Sequence, residues 1–292
     1  MLYHMKNVDT CLYYGITAKE IATRLQYQKG KADADNVIAS VLYIRGMYQE
    51  SLQLYTNALS TYKAQKDSSN ICQVIMNMGN VYISLGDTVK GLGFFRKVIK
   101  TGRRDSIMSL VYANYCISNS ALSDDSCQYY INKTREIASK YKDHRVLIAV
   151  LDLESSLLLR QNRHKESLKL LDSALYEARK YELDDQEIYL LSSYTQYYKD
   201  QPDSALNYAC RTYHLAKEKD YILDLIPTLK IVLTYTELSG DKNKIIHVLK
   251  LLEAEMADEY EKLKKFVGDY IKYNTIQSDN TVSAHLLNME QG

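Results

Sequence analysis

Side chains able to do covalent or metal chemistry are few here, and they lie far apart. Six histidines, His4, His144, His164, His214, His247 and His285, and five cysteines, Cys11, Cys72, Cys116, Cys127 and Cys210, are spread along 292 residues. A nucleophile needs a thiol or hydroxyl on a strained turn with an imidazole in reach. A metal centre needs such ligands to converge. Neither pattern occurs, and without a C-x-x-C pair a disulfide framework is not expected. The carboxylate pairs Asp124-Asp125 and Asp184-Asp185 have no third polar partner for acid–base work, so they read as helix caps and solvated turns. Gly91-Leu92-Gly93 falls inside a helical stretch at a packing position and not in a phosphate loop. Cys11 and Cys127 occupy small-residue packing positions. Cys116 differs, because its helical position faces an inner surface and makes it a candidate groove thiol. No catalytic residue, metal or cofactor is expected.

A second kind of chemistry is more plentiful. Amides and tyrosines recur at matched heights on successive helices: Asn36, Ser40 and Tyr43, then Gln73, Asn77 and Asn80, then Tyr112, Cys116 and Asn119. Asp152, Ser156 and Arg160 follow, then Tyr194 and Tyr197, and last Lys230 and Glu237. Amides bond the backbone of an extended peptide, and rings cover its side chains. The expected peptide-binding residues are therefore Asn36, Tyr43, Gln73, Asn77, Asn80, Tyr112, Asn119, Asp152, Arg160, Tyr194, Tyr197 and Lys230.

Their spacing is set by a repeat. Small residues recur at Cys11, Ser51, Gly91, Cys127, Ser167 and Ala205, ending at Ile245, with intervals of 40, 40, 36, 40, 38 and 40. Seven residues on comes Ala18, Ala58, Val98, Thr134, Ala174, Thr212 and Leu252. Between them stand Gly15, Tyr55, Phe95, Ile131, Leu171, Ala209 and Leu249, mostly large. Small residues seven apart share a helix face and let a neighbouring helix come close, while the large residue fills the adjoining groove. Gly46, Gly86, Asn162 and Gly240 precede second helices and suit a left-handed turn. Asp87, Asp124 or Asp125, Asp203 and Asp241 would then cap those helices.

Between residues 72 and 105, Ile75, Met78-Gly79, Tyr82, Gly91 and Phe95 resemble the tetratricopeptide repeat, W-x2-L-G-x2-Y followed by A-x3-F. Arg103 stands where the closing proline belongs. The resemblance covers residues 9–256 and implies an all-α superhelix of about six helix pairs, at 33–66, 72–102, 108–141, 147–181, 186–219 and 226–256, after a partial unit with a helix at 9–27. The interval exceeds the 34 residues usual for the family, so longer second helices are expected. Tyrosine-rich, proline-poor repeats of this length look like those of Bacteroidetes signalling proteins. In some family members, Lys and Asn on three successive first helices clamp a terminal carboxylate. Here only Asn77 and Asn80 match that pattern.

The last helix is expected to run on past residue 256 to about Asn274, with 257–277 as an extension and 278–292 as a polar, disordered tail. Ile245, Leu249, Leu252, Met256, Leu263, Phe266, Tyr270 and Tyr273 keep a helical stripe that either closes the stack or pairs two chains into a homodimer. Lys and Arg total 37 against 36 Asp and Glu, leaving no field to attract nucleic acid or an anionic membrane. The cluster Lys97, Lys100, Arg103 and Arg104 sits at a helix end. No 18-residue apolar run occurs, so membrane insertion is not expected. The chain is expected to be soluble: cytoplasmic if free-standing, periplasmic if part of a membrane sensor. The function expected is a non-catalytic scaffold for a protein or peptide. The alternative is an input module of a membrane-associated histidine kinase or transcriptional regulator.

Overall fold

The chain doubles back about every twenty residues because a left-handed residue ends most helices. The computed structural model describes residues 8–103 and 105–290, with side chains outside the description at 222–224 and 274–290. In chain order the helices are α1 (Val8–Arg24), α2 (Gln28–Ile44), α3 (Tyr48–Ala64), α4 (Ser68–Ser84), α5 (Thr88–Ile99), α6 (Ile107–Ser118) and α7 (Asp124–Tyr141). Then come α8 (His144–Arg160), α9 (His164–Lys180), α10 (Asp184–Tyr197), α11 (Pro202–Glu218), α12 (Ile222–Leu238) and α13 (Lys242–Glu290). These thirteen helices, with no strand among the described residues, form an all-α TPR-like solenoid. Even-numbered helices are the first members of each pair, and α1 takes the place of a second helix.

Gly46, Gly86, Asn162 and Gly240 have φ of 74°, 82°, 60° and 67°. The amide after each of the first three bonds five residues back, as from Asp87 to the Tyr82 carbonyl at 2.9 Å and from Arg163 to the Leu158 carbonyl at 2.9 Å. That bond satisfies carbonyls the helix end would otherwise strand. Turns between pairs use the same geometry, with Gly102 in one and the non-glycine residues Gln26, Lys66, Lys142, Glu182 and Asp220 in the others, all at positive φ. Asp87 caps α5 by accepting from the Lys90 amide at 3.0 Å, and Asp241 caps α13 through the amides of Asn243 and Lys244. Two expected caps are corrected. Ser123, not Asp124 or Asp125, accepts from the Ser126 amide, and Gln201 precedes α11 with Pro202 at its first turn, so Asp203 lies inside the helix. Proline has no amide to satisfy there.

Packing follows the small-residue series. Ser51, Ser167 and Ala205 are fully buried, as are Ala58, Val98, Thr134 and Ala174. Ser51 donates to the Ala39 carbonyl at 2.7 Å and Ser155 to the Ser167 carbonyl at 2.9 Å, so small hydroxyls tie paired helices together. Tyr55, Phe95, Ile131 and Leu171 fill the grooves between them. Leu249 departs from its series at 46% exposure. Helix lengths also differ from expectation. The extra residues are shared between both members, since α2 and α3, and α8 and α9, are 17 residues each.

The last helix does not stand free. Glu255 accepts from the Tyr213 hydroxyl at 2.8 Å and pairs with Lys217, both on α11. One turn later Glu259 pairs at 3.1 Å with the buried guanidinium of Arg45, at the end of α2, which also pairs with Asp9 of α1. Phe266, Tyr270 and Tyr273 are buried in one cluster with Val8 and Leu12 of α1, Ile38 and Leu42 of α2 and Tyr62 of α3. Arg45 lies over the Phe266 ring, 5.1 Å from its centroid. The two ends of the stack therefore meet through α13. Side chains of the expected tail at 278–292 lie outside the described residues, as do Arg104, His4 and residues 1–7. No described helix is long and apolar enough to cross a membrane.

Candidate functional site

Residues three and four apart on a first helix point the same way, and on the inner face they open three clefts. The first, of 390 Å³, lies across α2, α4 and α6 and is lined by Asn36, Ser40, Gln73, Asn77 and Leu110, with Asp143 at its edge. A second, of 250 Å³, lies across α6, α8 and α10, with Cys116, Asn119, Arg160 and Tyr189 among its walls. The third, of 280 Å³, is held between α8 and α10 by Ser155, Ser192, Ser193, Gln196 and Tyr197. Asp152, Ser156 and Tyr189 line both of the last two, which makes them neighbours along one surface.

The first cleft is built to accept hydrogen bonds. The Oδ1 atoms of Asn36 and Asn77 are buried, and neither has a hydrogen-bond partner among the described residues. A buried amide oxygen left unpaired costs about 1–3 kcal/mol, so this wall gains from an incoming N–H. Behind it the Tyr55 hydroxyl shares a hydrogen bond with Ser40 at 2.9 Å, and burial pushes its pKa up to about 12. It stays protonated and supports the wall as a neutral group.

Asp152 is the acidic counterpart in the other two clefts. It is buried, and among the described residues its Oδ1 has no hydrogen-bond partner and it carries no ion pair. Burial pushes its carboxyl above the ordinary range, with the Ser193 and Tyr189 hydroxyls pulling the other way. A carboxyl raised by folding costs stability as pH rises from its unfolded pKa through its folded one, and the cost persists above both. Asp152→Asn is therefore expected to melt at a higher temperature than wild type at neutral pH. The difference should shrink as the pH drops below the ordinary carboxylate range. Melting curves across pH check this, and a lower melting point for the variant at neutral pH contradicts it.

Seven of the expected residues, Asn36, Gln73, Asn77, Asn119, Asp152, Arg160 and Tyr197, line the clefts. Arg160 pairs with Asp124 at 2.8 Å, and the Tyr197 hydroxyl donates to the His164 carbonyl at 3.0 Å. The others stand elsewhere. Tyr112 packs against Tyr130 of α7, ring centroids 5.7 Å apart, because it stands 200° around α6 from the cleft-lining Leu110. Tyr194 is buried, stacked on Tyr208 of α11 at 4.7 Å, with its hydroxyl donating to Asp172. Tyr43 reaches sideways to Ser84, where the two hydroxyls are 3.0 Å apart. Asn80 is half-buried and Lys230 exposed, and neither lines a cleft. Sequence reasoning missed Tyr189, Ser192, Ser193 and Gln196. Their spacing of three, four and seven was the available signal, masked by the more conspicuous Tyr194 and Tyr197.

Cys116 does line a cleft, but among the described residues no histidine lines it too. Burial, with Cys127 beside it, pushes its thiol up to about 12, so at neutral pH it is a packed thiol and not a thiolate. Among the described residues no three His, Cys, Asp or Glu side chains converge as a metal site would require.

No protein-family model matches the chain, and neither does any curated protein. Its fold is shared with solved structures of low identity. A Rap protein complexed with competence and sporulation factor is 14% identical with a TM-score of 0.69, over 89% of this chain and 74% of that one. The apo form of RapI gives 15% and 0.64, over 90% and 96%. The Rap conjugation gene regulator of plasmid pLS20, in complex with the Phr* peptide, gives 14% and 0.59, over 87% and 75%. At this identity the likeness concerns the fold.

Proposed function

We propose that the chain is a non-catalytic scaffold whose inner face holds an extended peptide segment of a protein partner. The observation that carries this reading is the pair of buried, unpartnered amide oxygens, Asn36 Oδ1 and Asn77 Oδ1, in one open cleft. Each takes a backbone N–H, and the hydroxyl-lined clefts around Asp152 accept the segment farther along. Two solved relatives in fold, the Rap protein and the pLS20 regulator, were captured with a factor and a peptide respectively, which supports the reading by analogy.

The test uses a displayed library of unstructured peptides. Peptides should be enriched on wild type, and the double variant Asn36→Ala, Asn77→Ala should bind them roughly tenfold more weakly, as expected for two lost hydrogen bonds. Circular dichroism should be unchanged, and Asn132→Ala, exposed on α7, should bind as wild type does. No enrichment, or equal binding by the double variant, overturns the proposal.

One observation favours a second reading, the input module of a membrane-associated kinase or regulator. Because α13 touches both ends of the stack, a groove that narrows on a ligand would shift the seat of α13. Against it, the stripe such a module would use to pair with a second chain, Phe266, Tyr270 and Tyr273, is buried within this one.

A further inference from the structure

We propose, resting on the peptide-binding reading above, that Asp152 anchors a lysine side chain of the bound segment, whose ammonium enters the cleft between α8 and α10. Asp152 is 4% exposed, and its Oδ1 has no hydrogen-bond partner among the described residues, yet the side chain lines two open clefts. Buried carboxylates are ordinarily paired. In the 280 Å³ cleft, Asp152 is the only charged side chain among the described residues of the wall. Arg160 lines the adjoining cleft, but its guanidinium is already paired with Asp124 at 2.8 Å. The cation is therefore left for a ligand to supply.

Much of the remaining wall has spent its protons. The Ser155 hydroxyl donates to the Ser167 carbonyl at 2.9 Å, Ser192 to the Ile188 carbonyl at 3.4 Å and Tyr197 to the His164 carbonyl at 3.0 Å. A hydroxyl has one proton to give, so these three can only accept from a ligand. Charge and acceptors together call for a donor-rich cation.

Lysine meets that demand better than arginine. Its ammonium is a compact charge whose donors rotate, which suits acceptors arriving from two helices, whereas a guanidinium needs them in one plane. Half-buried Leu159 and Tyr197 in the same wall offer cover to the aliphatic stem. Asp152 is also the residue whose charge is expected to lower stability, and a group kept at such a cost points to binding.

The test sequences the peptides enriched from the displayed library, which should share a lysine at one fixed position. Exchanging that lysine for norleucine, which keeps the stem and drops the charge, should weaken binding to the wild-type chain at least tenfold. On Asp152→Asn the two peptides should bind alike, and because this variant is expected to melt higher than wild type, unfolding does not explain the loss. On Glu218→Gln, exposed on α11, the tenfold drop should remain. Enriched peptides without a shared lysine overturn the proposal, and so does a drop that persists on Asp152→Asn. The double variant Asn36→Ala, Asn77→Ala should weaken both peptides by one factor. If it binds them as wild type does while Asp152 still discriminates, the amide cleft fails and the lysine site stands. No enrichment overturns both.

Discussion

Gly79→Leu is expected to destabilise the chain by about 1–3 kcal/mol through overpacking, one of the largest losses available from a single surface-neutral change. A Cβ on Gly79 would stand 2.8 Å from Cε1 of Phe95 and 3.2 Å from the Gly91 carbonyl oxygen. From the other side, a Cβ on Gly91 would stand 2.8 Å from the Gly79 carbonyl oxygen and 2.7 Å from Cδ1 of Ile83. The rings and methyls can turn aside, but the backbone oxygens cannot. Helices α4 and α5 must therefore separate, and Phe95, fully buried between them, loses its seat. Gly93 supplies the contrast, since a Cβ there meets nothing within 4 Å. Gly93→Ala should accordingly stabilise α5 by up to about 1 kcal/mol through helix propensity. Urea unfolding of the two variants checks both signs, and a Gly79→Leu variant as stable as wild type refutes the close crossing.

The crossing was legible in the sequence because it is local and periodic. Two small residues forty positions from their counterparts fix the pair, the phase and the turn, so Gly46, Gly86, Asn162 and Gly240 could be placed at left-handed φ. Turns closed by Lys66 or Glu182 could not, because their side chains do not announce that geometry. The inner face was legible through helix phase. On α2, α4 and α8 it gave Asn36, Asn77 and Asp152 their places in the clefts. On α6 and α10 it placed Asn119 and Tyr197 in the clefts but not Tyr112 and Tyr194, which pack against Tyr130 and Tyr208, because a tyrosine suits a packing face as well as an open one. The fate of α13 was illegible for a different reason. A stripe of Phe266, Tyr270 and Tyr273 says that a face must be buried, but nothing in its period says that the cover lies more than two hundred residues upstream.

That long-range contact yields the second large effect. Phe266→Ala is expected to cost about 3–5 kcal/mol, the range for removing a fully buried aromatic ring. Phe266 is 2% exposed, and its ring faces the Arg45 guanidinium, whose Nε has no partner among the described residues. Losing the ring leaves a void against α1 and α2 and a buried cation with one neighbour fewer, still paired with Glu259 and Asp9. Tyr260→Ala, at a position 64% exposed on the same helix, should change stability by no more than about 0.5 kcal/mol. The location of the loss matters as much as its size. Each unit of a solenoid contacts chiefly its neighbours, so a local defect in α13 would ordinarily loosen only α11 and α12. Because Phe266 is seated on α1–α3, hydrogen exchange should instead accelerate in α1 and α2, at the far end of the sequence, while α8 and α9 keep their protection. Acceleration confined to α11–α13 would mean that the two ends of the stack do not meet in solution.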